Sequence, residues 1–289
     1  MALATKETSV ILFIVLFISF FLIMPSYPAS DSFVFGGCSQ LRYTSGSPYE
    51  TNVNSVLTSL VNAAMYTSYS NFTVPGSASQ DTVYGLFQCR GNLDGGDCGR
   101  CVARAVSQLG TLCLDSTGGA LQLEGCFVKY DNTSFLGVED KTVAVKKCGP
   151  LSSSYSDGST RRDAMLGYLG SSDGTYKPFR VGGSGDLQGV AQCVGDLSPS
   201  ECEDCLSEAI GQLKTECAAA KWGDMYLAKC YVRYSEGGSH SHSQNDTNDD
   251  DDEIEKTLAI LIGLIAAVAL LILFVSFLSK LCEKGKGGK

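Results

Sequence analysis

Shifted by 104 residues against itself, the chain lays five cysteines on five others without a gap: Cys89, Cys98, Cys101, Cys113 and Cys126 fall on Cys193, Cys202, Cys205, Cys217 and Cys230. Between them Gln88, Gly91, Leu93, Ala105, Gln108, Leu109, Val128 and Tyr130 meet Gln192, Gly195, Leu197, Ala209, Gln212, Leu213, Val232 and Tyr234. A register kept over such a stretch marks a duplicated structural unit. Cys38 and Cys148 head the two copies, 51 and 45 residues before the next cysteine, so the second copy is six residues shorter there. Each copy holds six cysteines, and Cys282 is left over.

The pattern inside each copy is mixed. Val53, Leu57, Leu60, Val61 and Ala64 recur at helical spacing, and Arg161 to Leu169 reads as a shorter, weaker counterpart. A second helix carries Cys101, Val102, Ala105, Val106, Leu109 and Leu112, mirrored by Cys205, Leu206, Ala209, Ile210 and Leu213. Strand-like segments are Thr82 to Cys89, Ala120 to Tyr130 and Lys141 to Lys147 in the first copy, and Leu187 to Cys193 and Met225 to Tyr234 in the second. Each copy is therefore an α+β unit of about 100 residues, small enough to need staples besides its core.

Two apolar runs flank the repeats. Val10 to Ile23 follows Lys6 and stops at Met24-Pro25, the length of a signal-peptide core rather than of a membrane span, with cleavage expected after Ser30. Thr257 to Ser279 carries no charge and as a helix extends about 34 Å, enough to cross a bilayer. Lys280, Lys284, Lys286 and Lys289 follow it, while residues 246–256 before it carry seven acids and one lysine, so the tail is expected in the cytoplasm. The expected layout is a signal peptide at 1–30, domains at 31–138 and 141–238, an acidic linker at 239–256, a single transmembrane helix at 257–279 and a tail at 280–289. Within the span, Ala259, Gly263 and Ala267 share one helix face on which another helix could pack closely. Cys282, just past the span, is a candidate for S-acylation.

A translocated chain with an even set of cysteines per copy favours disulfides over zinc or redox readings of Cys98/Cys101 and Cys202/Cys205, although spacing alone does not choose the pairs. Net charge is −9 with no basic stripe in the repeats, the wrong sign for a nucleic-acid partner. The two histidines, His240 and His242, lie in a polar Ser/His linker, so neither copy supplies an imidazole for nucleophilic or metal chemistry. Glu201, Glu203 and Asp204 sit at a helix start, where they read as helix-dipole partners rather than a glycosidase pair. No enzyme activity and no cofactor are expected. Asn71, Asn132 and Asn245 head glycosylation sequons.

Cys89-x8-Cys98-x2-Cys101 and Cys193-x8-Cys202-x2-Cys205 resemble the signature of the plant ginkbilobin-type cysteine-rich domain, also called the stress-antifungal domain. Two such units behind a signal peptide, followed by one span and a short tail, resemble the plasmodesmata-located proteins of plants. The resemblance implies two helices on an antiparallel sheet of about five strands per unit. It also implies the pairs Cys38–Cys113, Cys89–Cys98, Cys101–Cys126, Cys148–Cys217, Cys193–Cys202 and Cys205–Cys230. Some single-unit relatives hold mannose through an Asn, an Arg and a Glu. Their places are taken here by Ser39, Ala120 and Asp131, and in the second copy by Gly149, Asp224 and Ser235, which argues against mannose at that site. The function so implied is that of a non-enzymatic type I protein of the plasma membrane at plasmodesmata. It would restrict cell-to-cell traffic through callose deposition and act in defence, associating with itself or with related membrane proteins. The rival readings are a membrane-tethered lectin for cell-wall polysaccharide or microbial glycans, and a kinase-less receptor subunit.

Overall fold

A computed structural model of the chain describes residues 29–78, 81–151, 155–171 and 176–237. The first copy runs β1 (Phe33–Cys38), α1 (Pro48–Ala63), β2 (Tyr69–Val74), β3 (Val83–Cys89), α2 (Gly95–Leu112), β4 (Gly118–Leu123) and β5 (Cys126–Asp131). The second repeats it as β6 (Val143–Cys148), α3 (Tyr155–Gly170), β7 (Phe179–Ser184), β8 (Leu187–Cys193), α4 (Pro199–Glu216), β9 (Trp222–Leu227) and β10 (Cys230–Glu236). Each copy is two helices on one antiparallel five-stranded sheet, ordered β1-β4-β5-β3-β2 and β6-β9-β10-β8-β7. This is the α+β architecture expected.

Local chemistry starts the helices where they start. Ser47 accepts from Glu50 N at 3.4 Å with Pro48 in the first turn, and Asp94 accepts from Asp97 N at 2.7 Å. Ser198 and Glu201 form a reciprocal capping box, with Pro199 opening α4. Hydrogen bonds from Ser198 hold the Glu201 carboxyl below its usual range, so this acid caps a helix. In α2 the buried stripe is Cys98, Cys101, Val102, Ala105 and Leu109, and in α4 it is Cys202, Cys205, Leu206, Ala209 and Leu213. Helical spacing puts both cysteines of each C-x2-C on the sheet-facing side.

Six disulfides then pin these helices, in the pairing that the resemblance implies. Cys98 and Cys101 tie the first turns of α2 to the end of β3 (Cys89) and the start of β5 (Cys126), while Cys113 just past its last turn is bonded to Cys38 of β1. Cys202, Cys205 and Cys217 do the same for α4 through Cys193, Cys230 and Cys148. Phe87, Leu109, Leu121, Leu123 and Val128 fill the first core, and Leu166, Leu169, Leu206, Leu213 and Met225 the second.

Several features differ from the sequence reading. Ala120 to Tyr130 is a hairpin, β4 and β5, that turns at Glu124-Gly125, and Met225 to Tyr234 is likewise split between β9 and β10, which turn at Ala228-Lys229. Lys141 to Lys147, grouped by pattern with the first copy, supplies β6 and pairs with β9 of the second sheet, from Val143↔Leu227 to Cys148↔Gly223. Helix α3 begins at Tyr155 rather than Arg161. Strands β1, β2 and β7 have no counterpart in the sequence reading. Among the described residues no helix is long and apolar enough to cross a membrane.

Candidate functional site

Alternation along the strands gives each sheet a second face, turned away from its helices. Leu86, Gln88, Gln122, Phe127 and Lys129 occupy that face in the first copy, and Gln192, Asp224, Tyr226, Tyr231 and Arg233 in the second. The two faces meet in a seam whose centre obeys an approximate twofold. Gly195 N donates to Gln88 Oε1 at 2.9 Å, and the repeat-related Gly91 N donates to Gln192 Oε1 at 3.3 Å. Gln192 Nε2 donates to Cys89 O at 2.9 Å. Both glycines are required by close approach: a Cβ on Gly91 would strike the Phe179 ring, and one on Gly195 the Tyr69 ring. Leu86, Phe127 and Val194 form an apolar cluster there, and Phe35 meets Tyr226 edge-on at 6.0 Å.

Charge breaks the symmetry. Arg233 is 5% exposed; its Nε donates to Asp224 Oδ1 at 2.9 Å and its Nη1 to Glu124 of the first copy, with the Tyr226 ring centred 5.7 Å away. Burial, the largest influence, works against the guanidinium charge, but Tyr226, Asp224 and Glu124 outweigh it and raise its pKa well above the usual value. Lys229 is 1% exposed and donates to Asp196 Oδ2 and, at 3.0 Å, to Phe135 O of the first copy. Gly137 N adds a hydrogen bond to Asp196 Oδ2 at 3.0 Å. The repeat partners of Glu124, Asp224 and Lys229 are Ala228, Ala120 and Gly125, so the full set of charges is present in only one of the two symmetric settings. Pairing two like copies would bury some of them without partners, which costs several kcal/mol per ion.

Tyr226 and Tyr231 lie in the seam, their rings stacked at 4.9 Å. Burial raises the Tyr226 pKa well above the phenol value and pushes that of Tyr231 up to about 12. Burial likewise raises Tyr49, Tyr130 and Tyr234. A phenol whose folded pKa is raised contributes stability that is whole below the unfolded value near 10 and is lost as pH climbs toward the folded value. The tandem body is therefore expected to hold its thermal midpoint to about pH 9.5 and to lose it steeply above pH 10. Phenolate absorbance and fluorescence of Trp222, the one tryptophan, would follow this; a midpoint flat to pH 11.5 would show the rings to be hydrated.

The residues in the mannose places are not assembled into a sugar pocket in the second copy. Asp224 is buried in its bond to Arg233, Ser235 is buried, and the Trp222 indole packs on Gly149. In the first copy Ser39 lies beside Gly118, donating from its N to Gly118 O at 2.8 Å. Gly118 is paired with Asp131, while Ala120 is paired with Gly37 and Lys129. Asp131 Oδ1 accepts from Thr133 N at 2.9 Å. Of the sequon asparagines, Asn71 is exposed on β2 and Asn132 half-buried after β5. Asn245, His240, His242, Ala259, Gly263, Ala267, Cys282 and the expected signal peptide up to residue 28 lie outside the described residues. Among the described residues no group of three or more His, Cys, Asp or Glu is placed to hold a metal ion. The seam residues carried a repeat signal in Gln88 and Gln192, but Arg233, Glu124 and Lys229 had none, because their role is the departure from the repeat.

Comparison with known proteins matches the salt stress response/antifungal family to residues 37–133 and 147–237. Plasmodesmata-located protein 6 of Arabidopsis thaliana is 60% identical over 271 residues, covering 91% of this chain and 93% of that one. Plasmodesmata-located protein 7 of the same plant is 56% identical over 250 residues, covering 84% and 83%. Among solved structures, the tandem DUF26 ectodomain of the Arabidopsis cysteine-rich receptor-like protein PDLP5 aligns with a TM-score of 0.67 at 48% identity, over 72% of this chain and 100% of that one. The corresponding ectodomain of PDLP8 gives 0.69 at 41% identity, with the same coverage.

Proposed function

The chain belongs to the plasmodesmata-located protein family, and we propose that it is a non-enzymatic type I membrane protein of plasmodesmata that restricts cell-to-cell traffic. The observation that carries the reading is likeness over nine-tenths of the chain to a relative named for that location. In this reading the tandem body faces the cell wall as one unit, Thr257 to Ser279 anchors it, and callose deposition and defence are its outputs. The Ala259, Gly263 and Ala267 face gathers copies in the membrane, and Cys282 is acylated in some molecules. The lectin reading draws no support from the second copy, where the seam consumes Asp224.

A fluorescent fusion is expected to label wall puncta that overlap callose, and its overproduction to slow the spread of a small diffusible fluorescent protein between cells. Gly263→Leu places a bulky side chain on the close-packing face and is expected to weaken both resonance energy transfer between labelled copies and the puncta. Uniform labelling of the plasma membrane by the unaltered fusion would overturn the location. Unchanged energy transfer and targeting in Gly263→Leu would leave that face as lipid-exposed surface.

A further inference from the structure

The duplication lets the outer edges of the two sheets be compared residue by residue. Among the described residues, strand β2 pairs only with β3, and β7 only with β8. Cys89 N donates to Ser68 O at 2.7 Å and Cys193 N to Pro178 O at 2.9 Å, which fixes the phase of both ladders. Hydrogen-bonded pairs recur at every second residue of an antiparallel ladder. Tyr69, Asn71 and Thr73 therefore turn their backbone N–H and C=O groups outward from β2, as Phe179, Val181 and Gly183 do from β7. Counting from Cys38 and Cys148, Asn71-Phe72-Thr73 falls on Val181-Gly182-Gly183.

The first edge thus bears an exposed glycosylation sequon at its middle, and a glycan there would shield the strand. The second bears Val181, 58% exposed, with Tyr168 of α3, 64% exposed, leaning on Gly182. It has neither lysine nor proline among Phe179–Ser184. Its one charge, Arg180, is held by carbonyls of its own domain, Leu169 O at 2.9 Å and Ser171 O at 3.0 Å. An open edge with exposed apolar side chains and no gatekeeping charge is a template for another strand.

We propose that β7 pairs with β7 of a second copy of this chain, antiparallel across a twofold axis at Val181, joining two five-stranded sheets into one. The strand fits itself: centred on Val181, position 179 faces 183 of the partner strand and 181 faces 181, so every outward backbone group of both strands is matched. The two Val181 side chains meet on one face of the joined sheet, and Tyr168 of each copy flanks the axis on the other. Confinement of copies to one membrane would raise their effective concentration and let so short a contact hold.

The test uses the full chain in plant membranes. Hydrogen-bonded residues facing each other in an antiparallel pair stand about 5.5 Å apart at Cα, within disulfide reach. Val181→Cys is expected to give a reductant-sensitive dimer linked through position 181. Its yield should be roughly tenfold above that of Tyr66→Cys, a surface control 91% exposed, because a preformed contact concentrates the two thiols. Val181→Asn with Gly183→Thr transplants the sequon of the first edge. In a Gly263→Leu background, so that the span cannot mask the result, it should abolish most of the energy transfer that the Gly263→Leu parent retains. Linkage no better than the Tyr66→Cys control, or linkage only to a different protein, overturns the proposal. A sequon variant that reaches the plasma membrane with energy transfer equal to that of its Gly263→Leu parent overturns it as well.

Discussion

Arg233→Met is expected to destabilise the tandem body by about 3–5 kcal/mol, the usual loss when one partner of a buried ion pair is removed. Arg233 binds Asp224 within its own sheet and reaches Glu124 across the seam, with both carboxylates largely shielded from water. Truncating it takes the guanidinium away from two buried acids and from the Tyr226 ring. For a body of about 200 residues the thermal midpoint should fall by roughly 6–20 °C. Trp222 on β9, two residues before Asp224 and paired with Ser235, reports the transition by fluorescence. Adding Asp224→Leu and Glu124→Leu to Arg233→Met removes the stranded charges and should recover most of the loss, since apolar replacement of a buried triad is often close to neutral. A loss below about 1 kcal/mol for Arg233→Met alone would mean that water reaches the seam and screens the acids.

That seam also marks where sequence reasoning stops. The six interior strands were legible as segments, although β4 and β5 and likewise β9 and β10 merged into one each, and so were the helices α2 and α4, because burial against a helix imposes an apolar rhythm and the cysteines lie on it. The four edge strands were the weak point: β1, β2 and β7 went unread, and β6, although inside the expected bounds of the second domain, was grouped by pattern with the first copy. An edge strand is bonded on one side only, so Phe35-Gly36-Gly37 and Val181-Gly182-Gly183 meet no demand for alternating apolar side chains. The disulfide set was legible only through the family likeness, since spacing leaves many pairings open. The seam charges were invisible for a different reason. Arg233 and Lys229 read as ordinary surface cations in sequence, and only the approach of the other sheet makes them interior.

Removal of the long staple of the first copy by Cys38→Ser with Cys113→Ser should unfold that copy before any binding function is touched. The bond spans 75 residues, against nine for Cys89–Cys98. On the chain-entropy account the longer loop contributes about 4 kcal/mol and the shorter roughly 2.5. The first is a large share of the stability of a domain this small. The geometry adds a consequence for reducing conditions. Cys38 and Cys148 are exposed, whereas Cys89, Cys98, Cys101 and Cys126 and their counterparts are buried. Thiol–disulfide exchange needs access to a sulfur, so the two bonds that restrain the unfolded chain most are also the two a reductant reaches in the folded state. Differential alkylation with peptide mapping across a titration of mild reductant should label Cys38, Cys113, Cys148 and Cys217 first, with loss of structure close behind. Labelling of Cys89 and Cys98 ahead of them would mean that the copies open at the α2 and α4 starts instead, and that the long staples are not what keeps the helices seated on their sheets.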